Sequence, residues 1–103
     1  MEHVVLVVDD DRDIRDSLIE LLERYGYRAA GAANGREALA VLEASPHLPC
    51  LILLDLMMPV LDGRGFREEQ RKHAAWRTIP VIVISAYSDA QAQARALDVE
   101  CLR

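Results

Sequence analysis

The sequence predicts an α/β domain, a parallel sheet with helices on both faces, from three observations. The runs VVLVV (Val4–Val8), CLILL (residues 50–54) and VIVIS (residues 81–85) are continuously apolar rather than alternating. Continuous runs belong to strands covered on both faces. Helical periods lie between these runs. Strand and helix then alternate five times with short connections, which implies right-handed βαβ units.

Each element has its own signal. After the first strand, Ile14, Leu18, Leu21, Leu22 and Tyr25 recur at helical spacing and form one stripe. Gly26 stops that helix, and YRAAGAA (residues 27–33) is a weak second strand. Asn34 caps a second helix with Ala38, Val41 and Leu42 on its inner face, and Ser45-Pro46 ends it. Residues 50–54 form the third strand. Pro59 and Asp62-Gly63 mark a loop, and a third helix follows from about residue 63 to 75. Ile79-Pro80 introduces the fourth strand. DAQAQARAL (residues 89–97) is a fourth helix, and VECLR (residues 99–103) a fifth strand.

Composition bounds the function. At 103 residues the chain is one domain at most. With 51% hydrophobic and 28% charged residues it can build a core. A net charge of −5 argues against direct nucleic-acid binding, which needs a basic face. No apolar run approaches the roughly 18 residues that span a bilayer, and the amino terminus lacks the basic start of a signal peptide. Cys50 and Cys101 show no C-x-x-C spacing, so buried free thiols are favoured over a disulfide. These features fit a reducing cytoplasm.

The chemistry gathers at strand ends. Ligands of open α/β sheets bind beyond the carboxyl ends of the strands. The first strand ends in Asp9 and Asp10, the third in Asp55 and the fourth in Ser85. An aspartate after a strand often only begins a turn. Three carboxylates in one crevice are different, because they repel unless something neutralises them. A hard divalent cation does so, and Mg²⁺ suits a site with few protein carboxylates. A carboxylate beside such a metal can act as a nucleophile in phosphoryl chemistry, with Ser85 as a hydroxyl donor.

The motifs LVVDDD (residues 6–11), LILLDLMMPVLDG (residues 51–63) and IPVIVISAY (residues 79–87) stand in an order and spacing that matches a family. The chain resembles the receiver domain of bacterial two-component response regulators over nearly its whole length. The resemblance implies a flavodoxin-like, doubly wound sheet of strand order 2-1-3-4-5. It implies that Asp55 is phosphorylated by a sensor histidine kinase or a phosphotransfer protein, with Mg²⁺ as cofactor. Asp10 would hold the metal directly, Asp9 mostly through water, and the backbone carbonyl of Met57 would complete the protein ligands. Ser85 would bond the phosphoryl group and move toward it. Tyr87 either packs its loop or borders the site. Pro59 and Gly63 would shape the loop after Asp55. Such a module promotes its own phosphorylation and dephosphorylation and is otherwise not an enzyme.

Competing readings fit less well. Asp9, Asp11, Asp13 and Glu20 mimic part of a calcium loop, but Ile14 stands where that loop needs glycine, and a strand precedes the run. Asp11 and Asp13 read better as first-turn acids of a helix. A haloacid-dehalogenase-like phosphatase fragment with Asp55 as nucleophile is the alternative from another class. That family wants an aspartate two residues on, where this chain has Met57. His3, His47 and His73 have no metal-ligand spacing and read as surface residues, and Trp76 reads as packing for the end of the third helix.

The pattern departs from the family near the carboxyl end. The lysine expected to pair with the phosphoryl group would follow Arg103, and the aromatic residue before it would fall at Cys101. The last helix of the fold is also expected to be lacking, so residues 1–103 read as an incomplete receiver domain. A helix covering about 400–500 Å² would forgo roughly 10 kcal/mol of burial, as an upper bound. A homo-oligomer joined through the surface so left, on the first helix and the fourth and fifth strands, is therefore expected.

Overall fold

The structure is a computed structural model and describes residues 3–84 and the backbone of 100–102. Ser85, Tyr87 and the expected helix at residues 89–97 lie outside the described residues. The elements are β1 (Val4–Val8), α1 (Arg12–Arg24), β2 (Arg28–Ala32), α2 (Gly35–Ala44), β3 (Leu51–Leu54), α3 (Gly63–Lys72), β4 (Val81–Ile84) and β5 (Glu100–Leu102). The sheet is parallel at every pairing, in the order β2-β1-β3-β4-β5. The fold class expected from the sequence is thus observed.

Strand alternation divides the core between two faces. Leu6, Val8, Ile52, Leu54 and Val81 point to one face and meet Ala38 and Leu42 of α2 and Phe66 of α3. Val5, Val7 and Leu53 point to the other, where Leu18, Ile19 and Leu22 of α1 cover them. Continuous apolar strands follow from this double coverage. Phe66 is fully buried, and its truncation to alanine would cost about 3–5 kcal/mol.

The inner face of α1 differs from the expected stripe. Ile14, Leu21 and Tyr25 are exposed, and Ile19 takes a place on the packed side. Ile19 packs on Gly31 in β2. A Cβ there would meet the Ile19 Cδ1 at 3.0 Å and the Arg15 Cδ at 3.1 Å. With no side chain at Gly31, Ile19 and Arg15 of α1 pack closely on β2 at that position. Gly26 ends α1 at a φ of 89°, where its N–H reaches the Glu23 carbonyl.

Two other expectations need correction. Cys50 is exposed, because it precedes β3 at the amino-terminal end of the sheet instead of lying within the strand. The third helix stops at Lys72 rather than near residue 75, since the extended backbone of His73 breaks it. Gln70 explains that stop. Its buried amide donates to the carbonyls of Trp76 (2.8 Å) and Ile79 (3.2 Å) and accepts from the Arg67 Nη1 (2.9 Å). The turn after α3 is thereby tied to the helix, and Trp76 packs into the core as expected, stacked on His73. The three histidines are exposed.

Candidate functional site: an acidic trio at the strand ends

Sheet register creates the site. Val8 of β1 pairs with Leu54 of β3. The Asp55 N–H donates to the Val8 carbonyl at 2.9 Å, and the Asp9 N–H to the Ala32 carbonyl at 3.0 Å. Asp9 and Asp55 therefore leave the sheet as neighbours, and Asp10 follows at once. One carboxylate oxygen from each of Asp9, Asp10 and Asp55 lies within 4.8 Å of the others. Asp9 is buried, Asp55 half-buried and Asp10 exposed.

Local bonds hold these groups in place. The Asp9 Oδ1 accepts from the Asp11 N–H at 2.9 Å. The Asp9 carbonyl accepts from the Arg15 Nη1 at 2.8 Å, which ties the strand end to α1. The Asp55 Oδ1 accepts from the Met57 N–H at 3.2 Å. Asp11 caps α1 by accepting from the Asp13 and Ile14 N–H groups. It is thus the N-cap itself, one step before the first-turn position expected from the sequence, while Asp13 does occupy the first turn.

The electrostatics are unfavourable for three bare carboxylates. Burial, with the neighbouring charges of Asp9 and Asp10, pushes the Asp55 carboxyl up to about 6 against the opposing pull of the Met57 N–H. Burial also raises Asp9, against the pull of the Asp11 N–H. A hard cation relieves this repulsion, and the all-oxygen donor set fits Mg²⁺.

The loop after Asp55 has no room for side chains at its far end. A Cβ on Gly63 would lie 2.8 Å from the Leu56 Cα, and the Gly63 N–H donates to the Leu56 carbonyl at 3.1 Å. The sequence singled out Asp9, Asp10, Asp55, Met57 and Gly63, and all five meet here. Reading the sequence missed Arg15. Its only signal is a basic residue three before Leu18, on the sheet side of α1.

A parallel α/β domain with three carboxylates beyond its central strands defines a small class of proteins. A family profile described as response regulator receiver domain matches residues 5–102, and the chain belongs to that family. It is 39% identical over 95 residues to the "Probable transcriptional regulator ycf27" of Porphyridium aerugineum, which covers 92% of this chain and 38% of that protein. It is 37% identical over 83 residues to the response regulator Rre1 of Synechocystis, covering 80% and 35%. The chain thus spans little more than a third of these relatives. Among solved structures, the N-terminal domain of a response regulator receiver protein from Methanoculleus marisnigri shares 36% identity at a TM-score of 0.81, covering 96% of this chain and 80% of that one. The response regulator TrrA of Thermotoga maritima, in complex with Mg²⁺-BeF, shares 32% identity at 0.82, covering 98% and 86%. Receiver domains act as phosphoacceptor switches and bind Mg²⁺ at an acidic pocket, and response regulators interact with histidine kinases or phosphotransfer proteins. The phosphatase alternative is not supported. Among the described residues no helix is long and apolar enough to cross a membrane.

Proposed function

We propose that Asp55 is the phosphoacceptor of a signalling switch and that Asp9, Asp10, Asp55 and the Met57 carbonyl hold its Mg²⁺. The observation that carries this reading is the trio of carboxylate oxygens within 4.8 Å, held by strand register and not by chance loop geometry. In the reaction an Asp55 carboxylate oxygen bonds to phosphorus while the bond from phosphorus to the kinase imidazole nitrogen breaks. The imidazole leaves with the electron pair. When bound, the metal supplies positive charge against the carboxylates and the phosphoryl oxygens. The Met57 N–H orients Asp55, and Arg15 keeps the end of β1 from moving away. In this reading the Ser85 hydroxyl donates a hydrogen bond to the phosphoryl group that Asp55 carries, and Tyr87 either packs its loop or borders the site.

The donor is a sensor histidine kinase or phosphotransfer protein, and the domain works in the cytoplasm, changing no substrate but itself. Copies of the chain meet through the surface of α1, β4 and β5, a reading supported by the exposure of Ile14 and Leu21 on α1. Titration with Mg²⁺ followed by amide NMR tests the site. Shifts at residues 9, 10, 55 and 57, lost in Asp10→Ala and Asp55→Asn, are expected. Saturable binding unaffected by both substitutions would overturn the assignment.

A further inference from the structure

The loop after Asp55 is gripped at a point remote from the carboxylates. The Gly35 N–H, at the first residue of α2, donates to the Leu61 carbonyl at 2.7 Å. A Cβ on Gly35 would stand 2.6 Å from that oxygen and 3.0 Å from the Leu61 Cγ. On the other side, a Cβ on Gly65 in α3 would stand 2.5 Å from the Leu61 Cδ1. Both helices are capped beside these contacts. Asn34 accepts from the Glu37 N–H, and Asp62 accepts from the Gly65 N–H, each at 2.9 Å. Glycine weakens a helix relative to alanine, so two glycines at two helix starts need a reason. Leu61 is that reason, because it occupies the space both side chains would need.

We propose that Leu61, clasped between Gly35 and Gly65, is a positioning residue for the Asp55 site. The inference rests on the reading of Asp55 as phosphoacceptor. Met57 lies between two fixed points, the Gly63–Leu56 bond and the Gly35–Leu61 bond. Its N–H orients Asp55, and its carbonyl is the proposed metal ligand. Opening the clasp frees the segment that carries Met57. The clasp also extends the site to α2, so occupation of the site is felt at the Gly35 N–H.

The two glycines meet different atoms of Leu61, which gives a test that a merely structural role would not pass. Gly35 meets its backbone oxygen most closely, a contact that no side-chain truncation removes, whereas Gly65 meets the tip of its side chain. Mg²⁺ alone is titrated into each variant, followed by amide NMR, at a temperature where circular dichroism shows full folding. Gly35→Ala should weaken Mg²⁺ binding by about tenfold, as loss of an outer support does at metal sites. Gly65→Ala should weaken it as well, and adding Leu61→Ala should restore the affinity of Leu61→Ala alone. The same addition should not rescue Gly35→Ala. In the unsubstituted chain, the Gly35 amide signal should move on saturation. Equal affinity in all folded variants overturns the clasp while leaving the Mg²⁺ site intact. Absence of Mg²⁺ binding in the unsubstituted chain overturns both readings. If Gly35→Ala does not fold, the Gly65 and Leu61 pair decides the question.

Discussion

A Cβ on Gly63 would stand 2.7 Å from the backbone oxygen of Asp55. The start of α3 therefore rests directly on the residue that follows β3, and only a hydrogen fits between them. Gly63→Ala forces one of two backbones to shift. We expect a loss of about 1–3 kcal/mol, the range for overpacking a close-packed site. Urea unfolding monitored by circular dichroism checks it, and a midpoint equal to that of the unsubstituted chain would contradict it.

The metal-free domain should grow more stable as the solution is acidified from pH 7 toward pH 5. The Asp55 carboxyl titrates at about 6 in the folded state, above the ordinary 3.8. The folded state then binds a proton that the unfolded state does not, so stability falls as pH rises through this window. Raised Asp9 acts in the same direction. Asp55→Asn should flatten the slope, and saturating Mg²⁺ should flatten it too. Urea midpoints at pH 5, 6 and 7 provide the measurement, and a slope of the opposite sign in the metal-free chain would refute the account.

Asp55→Asn should also stabilise the metal-free fold, because it removes one of three repelling charges. Thermal unfolding at pH 7 without Mg²⁺ should show a higher Tm than the unsubstituted chain. A lower Tm would contradict the repulsion assigned to the three carboxylates.

Much of this was legible in the sequence, for physical reasons. Val4–Val8 and Leu51–Leu54 are buried on both faces, so their composition alone states their role. Asp9 and Asp55 were legible because strand ends in a parallel sheet share one edge. The packing of Ile19 was not, because it uses the space at Gly31, a residue whose effect is an absence of atoms. Cys50 looked like a strand residue because it adjoins an apolar run, and its N–H does bond the Val4 carbonyl, but the strand itself begins at Leu51. The Gln70 bonds were equally hidden. They join a helix to carbonyls six and nine residues away, and no periodicity records that.

Gln70→Glu should destabilise the fold by about 2–3 kcal/mol. A carboxylate cannot donate to the Trp76 and Ile79 carbonyls, and a buried group without its partner carries its desolvation cost. Equilibrium unfolding of this variant beside Gln70→Met separates the lost donor from lost packing. Equal stability of the glutamate variant and the unsubstituted chain would count against the role assigned to the amide.

Val60 holds a φ of 69°, a left-handed conformation that is unfavourable for a β-branched residue, and it is exposed. Val60→Asn should therefore stabilise the domain by about 1 kcal/mol. A measured loss of stability would show that the Val60 side chain makes contacts that outweigh its strain.

The central claim, that Asp55 accepts a phosphoryl group at a Mg²⁺ site, is tested most directly by intact-mass spectrometry after incubation with a small acyl phosphate. One phosphoryl group should add when Mg²⁺ is present, none when it is chelated, and none in Asp55→Asn. Modification that persists in Asp55→Asn, or that proceeds equally well without Mg²⁺, would contradict it.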